Sequence, residues 1–422
     1  MNASSAAPPR PLERVWAPPR RARFALDSIA YACLWAFVFT IPWADEWAHV
    51  EGFVISRWVG SAGLAAGLLR AAVLRPGGRF SELHYWMFAL AAWASASIFW
   101  SVDPESTATR ALTYVQLLVL AWLTWTLATD RTRVARLLQA YVLGACVSAL
   151  GTVANLIEGR TFSQLNDVDT PRADRYSIAG VNPNDLGLTL ALAIPIIFYL
   201  MIWSRRSWAA ALLHWTQLGL CVIAILLTGS RGSALAAAPA LLMLPFTVAR
   251  LPQWQRVFAL SICTSTFVSA LALIPRETWL RFFRLGLELT EGTMTLRTRI
   301  WAASAALFRD HPFLGVGAAA HAAAAANILG RPLVAHNTFL SALVELGVVG
   351  ELLLLGLLAV AFHHAFQMAG PERTLWVLSL VVWIIGVGGS TWEYSKVTWL
   401  LLSLLSAHAS AQGPAQRRSA CP

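Results

Sequence analysis

The sequence predicts an all-α polytopic membrane protein with about 12 transmembrane helices and a helical loop domain between the ninth and tenth helices. Of its 422 residues, 57% are hydrophobic and only 13% are charged, whereas about 25% of the residues in a soluble domain are charged. Apolar runs of about 20 residues, the length that spans a bilayer, recur along the chain. Because the backbone in a bilayer must satisfy its own hydrogen bonds, these runs predict helices.

The predicted organisation is two tails, two groups of spans and one long loop. Residues 1–23 form a basic tail, 24–275 the first nine helices, 276–335 the loop domain, 336–411 the last three helices and 412–422 a second tail. An alanine-rich run at 318–326 predicts a short helix inside the loop domain. The twelve predicted spans are 24–42, 55–74, 84–100, 108–128, 134–157, 183–203, 209–228, 232–249, 256–275, 336–362, 373–390 and 395–411.

Arginines recur in the tails and in every second gap between spans, although the net charge of +10 could also suggest nucleic acid. This alternation is the positive-inside pattern and predicts that both termini are cytoplasmic. The Pro- and Arg-rich N-terminal segment has no clear small-residue cleavage site, which favours a cytosolic tail over a removed signal peptide. These arginines are Arg10, Arg14, Arg20, Arg21, Arg23, Arg70, Arg75, Arg79, Arg131, Arg133, Arg136, Arg205, Arg206, Arg250, Arg256, Arg373, Arg417 and Arg418.

Two long loops on the predicted outer side, 158–182 and 276–335, are also rich in arginine. A guanidinium binds phosphate oxygens two at a time, so one hypothesis is a phosphate-bearing ligand. Pairing with loop carboxylates or with anionic lipid headgroups is the alternative. Arg281 and Arg284 alternate with aromatic residues, which predicts either an interfacial helix beside a lipid entry path or a scaffold element.

Three segments carry the other candidate residues. Arg231 lies in the turn Thr228-Gly229-Ser230-Arg231-Gly232-Ser233, where glycines permit close approach and exposed amides add anion donors. Asn184, in Val181-Asn182-Pro183-Asn184-Asp185, contacts a ligand or belongs to a helix cap. His336 and Asn337 open the tenth span, where a histidine can exchange a proton near neutral pH or the pair can simply cap the helix.

The sequence predicts neither a metal site nor a cofactor. Asp167-Val168-Asp169 is a very weak metal pattern, and there is no His-Glu-x-x-His, P-loop or zinc-type cysteine spacing. Of the five cysteines, four lie in apolar spans and one in the C-terminal tail, so no disulfide framework is expected.

Five motifs in this order resemble the O-antigen ligase and polymerase superfamily of bacterial envelope enzymes. The resemblance covers about residues 180–355, and the first five spans share only its apolar character. The motifs are Val181-Asn182-Pro183-Asn184, Thr228-Gly229-Ser230-Arg231-Gly232, Arg297-Thr298-Arg299-Ile300-Trp301, His311-Pro312-Phe313-Leu314-Gly315-Val316-Gly317 and the segment from His336-Asn337 through Glu345-Leu346-Gly347 to Gly350.

The resemblance implies a multi-pass enzyme of the bacterial inner membrane with its active site on the periplasmic face. Its donor would be a glycan on undecaprenyl diphosphate and its acceptor the lipid A–core oligosaccharide. His336 would be the base or a diphosphate contact, and Arg231 and Arg297 would stabilise the leaving diphosphate without a metal. Arg299, as a neighbour of Arg297, is a weaker candidate for substrate binding.

Three other functions remain open at this point. An O-antigen polymerase or a protein O-oligosaccharyltransferase would use the same donor and the same arginines. A transporter of lipid-linked sugars is a different class, and it would place charges through the membrane midplane. Here the charges gather at one face, which favours an enzyme, and the basic outer surface modestly favours a phosphate-rich acceptor.

Overall fold

The computed structural model describes residues 20–43, 55–73, 80–165, 175–178, 181–283 and 293–411, and all regular secondary structure in these ranges is helical. Ser97–Phe99 form a 3-10 turn after the third helix. The α-helices are α1 Arg20–Thr40, α2 Ile55–Val73, α3 Glu82–Ala96, α4 Pro104–Leu127, α5 Arg131–Ile157, α6 Phe162–Leu165, α7 Pro183–Trp203, α8 Trp208–Leu227, α9 Arg231–Leu242, α10 Leu244–Ala249, α11 Gln253–Leu273, α12 Arg276–Phe283, α13 Thr293–Asp310, α14 His321–Leu329, α15 Thr338–Phe366, α16 Gly370–Val387 and α17 Lys396–Ser410.

The helices confirm the all-α polytopic membrane class. Nine helical segments within the described ranges are long and apolar enough to cross a membrane, with α9 and α10 together making one of them. Every predicted span coincides with a helix, but α3 and α17 have only 15 residues each and α2 contains a shorter apolar stretch. The total of twelve crossings therefore stays a prediction.

Helix α7 lies at the centre of the bundle. It packs against α5, α8, α9 and α16. Of the 18 residues in its most apolar stretch, 89% are buried inside the protein. Pro183 occupies its first turn, where a missing amide hydrogen has no cost. Because a central helix is fixed from all sides, the residues at its N-terminus, including Asn184 and Asp185, are held rigidly.

Helix α15 is broken at Gly347, whose φ of 68° and ψ of −171° lie in a region open essentially to glycine alone. Residues 311–319, here called the strap, cross this break. The carbonyls of Val344 and Glu345 accept the strap amides of Val316 and Gly317, both at 2.9 Å, so the interrupted ladder is completed from outside the helix. The strap thereby joins the predicted loop domain to the membrane bundle.

Between α11 and α15, the predicted loop domain contains α12, α13 and α14. The short helix expected at 318–326 instead spans His321–Leu329. It begins later because Gly317 and Ala319 of the strap have positive φ values of 106° and 63°, which no α-helix accommodates.

Candidate functional site

Arg231 is the first residue of α9 and follows a tight turn. Gly229 has a φ of 56°, and the Ser230 side chain caps the helix by accepting from the amide of Ser233. Ser233 in turn donates to the carbonyl of Asn184 at 3.0 Å. The turn is therefore fixed against the start of α7, which places a half-buried guanidinium at this end of the bundle.

Arg297, on α13, lies beside Arg231. It is half-buried, and its Nη2 donates to the carbonyl of Gly389 at 3.3 Å. Burial lowers the pKa of Arg297, and the positive charge of Arg231 lowers it further. Two neighbouring guanidiniums repel each other because they carry like charges. The pair is therefore suited to bind an anion that both can contact.

His336 also lies within range of the charge of Arg297. Burial lowers the pKa of His336 below its ordinary value of 6.5, and the charge of Arg297 adds to the shift. Its φ of 49° puts a non-glycine residue in the left-handed region, which costs about 1–3 kcal/mol and is characteristic of functional sites. The imidazole is therefore neutral at pH 7 and able to accept a proton.

Hydrogen bonds on both sides hold the His336 backbone. The indole of Trp301 donates to the carbonyl of Ala335 at 3.1 Å. Asn337 caps α15 by accepting from the amide of Leu340 at 3.0 Å, and its amide also donates to Gly388 at 3.4 Å. Asn337 therefore acts in the first instance as a cap that positions His336.

A second histidine supports the segment that precedes His336. His321 is buried, and its Nδ1 lies 3.0 Å from the carbonyl of Leu333 while its Nε2 lies 2.8 Å from the Ser304 hydroxyl. Burial lowers the pKa of His321, and the charge of His336 lowers it further. A neutral imidazole satisfies both contacts by donating from Nδ1 and accepting at Nε2.

The loop at residues 388–395, between α16 and α17, joins these elements. The Thr338 hydroxyl donates to the carbonyl of Ser390 at 2.9 Å and accepts from the amide of Trp392 at 2.8 Å. The Trp392 indole donates to the carboxylate of Asp185 at 2.8 Å. Since Gly388 and Gly389 also contact Asn337 and Arg297, this loop fixes α7, α13 and α15 relative to one another.

Two buried acidic residues, Glu345 on α15 and Glu393 in this loop, lie near the site. Glu345, on α15, accepts from the amide of Ala319 in the strap at 2.7 Å. The Ser341 hydroxyl donates to Glu393 at 3.2 Å. Burial, together with the charge of Glu345, raises the pKa of Glu393 to about 8. Glu393 is therefore protonated at neutral pH, and sequence reasoning did not single it out.

Arg175 also reaches the site, although sequence reasoning counted it only among the many loop arginines. Its Nε donates to the carbonyl of Thr228 at 2.8 Å and its Nη2 to the side chain of Asn184 at 2.7 Å. Asn184 therefore shares a hydrogen bond with an arginine next to the Arg231 turn. In the sequence, only its position seven residues before the Asn-Pro-Asn motif sets Arg175 apart from the other loop arginines.

The other predicted site residues lie elsewhere. Arg299 is exposed, and since residues two apart on a helix point to different faces it does not share the face of Arg297. Arg281 belongs to α12, and only its backbone is described. Arg284 and the Asp167/Asp169 pair lie outside the described residues. Among the residues that are described, no group of three His, Cys, Asp or Glu is gathered as a metal site.

Comparison with known proteins gave one family match. Residues 217–355 match a family model described as O-antigen ligase. The matched segment contains Arg231, Arg297 and His336 together with the strap and the break in α15. No curated protein matches the chain.

Proposed function

We propose, from the match of residues 217–355 to a family model described as O-antigen ligase, that the protein transfers O-antigen glycan from undecaprenyl diphosphate to the lipid A–core oligosaccharide. The observation that carries the proposal is the position of half-buried Arg297, which lies close enough to both Arg231 and His336 for their charges to interact. An anion site and a proton acceptor therefore lie side by side, as transfer from a sugar diphosphate requires.

In the proposed reaction, neutral His336 accepts the proton of the acceptor hydroxyl. The hydroxyl oxygen forms a bond to the anomeric carbon of the donor sugar, and the bond from that carbon to the diphosphate oxygen breaks. The electron pair leaves on the diphosphate, where Arg231 and Arg297 stabilise the developing charge. Attack opposite the leaving group inverts the anomeric centre, and His336 then releases its proton to water.

We further propose that the site faces the periplasm, with both termini in the cytoplasm and the bundle in the inner membrane. The far end of the bundle supports this orientation. There Asp27 on α1 pairs with Arg70 on α2 at 2.5 Å and also with Arg133 on α5. Arginine concentrated at that end agrees with the positive-inside rule.

A lipopolysaccharide gel of a strain lacking the gene tests the choice between ligase and polymerase. A ligase gives core without a ladder and accumulated long lipid-linked glycan, whereas a polymerase gives core with one repeat. Transfer from lipid-linked donor to lipid A–core by the purified protein is the direct test. Failure of that transfer in active preparations, with formation of longer lipid-linked glycan instead, would replace the ligase proposal by the polymerase.

A further inference from the structure

A cavity of about 760 Å³ lies against the 388–395 loop, between the end of α1 and the beginnings of α4, α7 and α17. This volume is within the range of about 300–1,000 Å³ that is usual for ligand pockets. Asp185 and Trp392, which are hydrogen-bonded to each other, form part of its wall. The cavity thus shares α7 and the 388–395 loop with the site, but Arg231, Arg297 and His336 do not line it.

The lining mixes polar and apolar surface, and its charged groups have both signs. Hydroxyls come from α4, α7 and the 388–395 loop, carboxylates from Glu105 and Asp185, and cations from Arg110 and Lys396. A lipid tail would require an apolar lining, and a phosphate would require an excess of cations. The hydroxyls of a sugar both donate and accept hydrogen bonds, and its ring faces are apolar. A sugar therefore matches a lining that combines hydroxyls, charges of both signs and aromatic rings.

Two polar atoms in the cavity wall can each form a hydrogen bond to a bound ligand. The guanidinium of Arg110 lies over the ring of Tyr394, with 3.0 Å from Cζ to the ring centroid. Its Nη1 and the hydroxyl of Thr391 are both buried and have no hydrogen-bond partner in the described part of the chain. Both residues line the cavity, and a buried polar atom is stable only with a partner.

The connection to the base identifies which substrate the cavity serves. Trp392 in the cavity wall donates its amide to the hydroxyl of Thr338, two residues after His336. Arg297 instead donates to the carbonyl of Gly389, near the opposite end of the same loop. The donor diphosphate therefore belongs on the arginine side, whereas the sugar whose hydroxyl is deprotonated belongs on the cavity side.

We propose that this cavity is a carbohydrate subsite that holds a sugar of the acceptor oligosaccharide next to His336. The proposal rests on the proposed function for the identity of the acceptor. Arg110 and Thr391 provide donors to sugar hydroxyls, Glu105 and Asp185 provide acceptors, and Tyr394 provides part of an apolar face.

Filling the mouth of the cavity tests the proposal. Thr109 lines the cavity and is exposed, so Thr109→Trp occupies space without disturbing the core. Its neighbour Ala108 is also exposed but does not line the cavity, which makes Ala108→Trp the matched control. Thr391→Val is a second variant that removes one hydroxyl at nearly constant volume.

The measurements are steady-state kinetics with each substrate varied in turn, and binding of lipid A–core to the purified protein without donor. We expect Thr109→Trp to raise the acceptor KM and weaken acceptor binding by about tenfold, equivalent to about 1.4 kcal/mol, with donor KM unchanged. We expect Thr391→Val to raise the acceptor KM and weaken acceptor binding by a smaller factor. Ala108→Trp should change neither the acceptor KM nor acceptor binding.

Unchanged acceptor KM and binding in both cavity variants would overturn the proposal, and so would a rise in donor KM alone. A wild-type protein that transfers no glycan would overturn the proposed function instead. Binding of lipid A–core by wild type and its loss in Thr109→Trp would then still support the carbohydrate subsite, so the two failures are distinguishable.

Discussion

The indole N–H of Trp301 donates to the carbonyl of Ala335 across 3.1 Å. Trp301 follows Arg297 by four residues on α13, and residues at this spacing share one face of a helix. Ala335 precedes His336. One face of α13 therefore carries the arginine and also holds the backbone beside the base, which explains how a residue outside the membrane bundle sets the geometry at the start of α15.

His336→Asn should abolish transfer while leaving the protein folded. Asparagine is among the residues that best tolerate the left-handed conformation, so the backbone is retained and only the proton acceptor is lost. We expect a fall in kcat of about 10²–10⁴-fold with an unchanged thermal unfolding temperature. Near-normal turnover by this variant would exclude His336 as the base.

Replacing Arg231 or Arg297 by lysine should rescue activity poorly. An ammonium group keeps the charge but cannot bind two diphosphate oxygens in the fork geometry of guanidinium. Alanine at either position should reduce kcat about 10²–10³-fold, and lysine should recover little of it. Arg299→Ala, an exposed position on another face of α13, serves as the control with a small effect. Full activity with lysine at both positions would show that charge alone matters.

The pH dependence of transfer should reflect the lowered pKa of His336. Because the neutral imidazole is the active form, activity persists as the pH falls through 6.5 and declines only at the lower pKa of the folded protein. Removal of the positive charge in Arg297→Gln should move this acid limb to higher pH, whereas Arg299→Gln should leave it in place. A wild-type midpoint at or above 6.5 would contradict the assignment.

Gly347→Ala should prevent stable folding. A Cβ on Gly347 would lie 2.1 Å from the carbonyl oxygen of Phe313, and the backbone there is essentially restricted to glycine. We expect a loss of about 3 kcal/mol or more, measured as a lower unfolding temperature or reduced yield. Gly232→Ala, where an added Cβ meets nothing within 4 Å, should fold normally. Equal stability of the two variants would show that the break does not depend on glycine.

Transfer should not require a divalent metal. The two arginines supply the positive charge that a metal would otherwise bring to the leaving diphosphate. Purified protein with both substrates in excess chelator should therefore form product at the same rate as untreated protein. A loss restored by magnesium or manganese, together with the same loss in Asp167→Ala or Asp169→Ala, would contradict the arginine-based mechanism.

The sequence predicted the helical spans because apolar length is a local property of the chain. It also predicted Arg231, Arg297 and His336 as one site, since the order of motifs around them resembles a family that uses such residues. The role of Arg175 was not predictable because its chemistry equals that of the other loop arginines. Only the bonds from Arg175 to Thr228 and Asn184 distinguish it, and these are contacts between distant segments.

The exposed position of Arg299 and the cavity were also not predictable from the sequence. Arg297 and Arg299 share a motif, and only the helical phase of α13 separates a half-buried residue from an exposed one. The cavity combines residues from five segments that are far apart in sequence, so no local pattern indicates it. Likewise the partner of the Glu345 carboxylate, the amide of Ala319, depends on the strap crossing the break in α15.

The strap limits which segments of this protein can be exchanged with those of a relative. Its amides complete the backbone hydrogen bonds of a transmembrane helix, so the segment before His336 is part of the bundle's own architecture and no detachable module. After exchange of residues 276–335 with the corresponding segment of a relative, α15 would keep these bonds only where the incoming segment crosses the break in the same backbone conformation. Chimeras that aim to transfer acceptor preference should therefore keep residues 311–319 with the recipient's α15 and vary only the sequence before them.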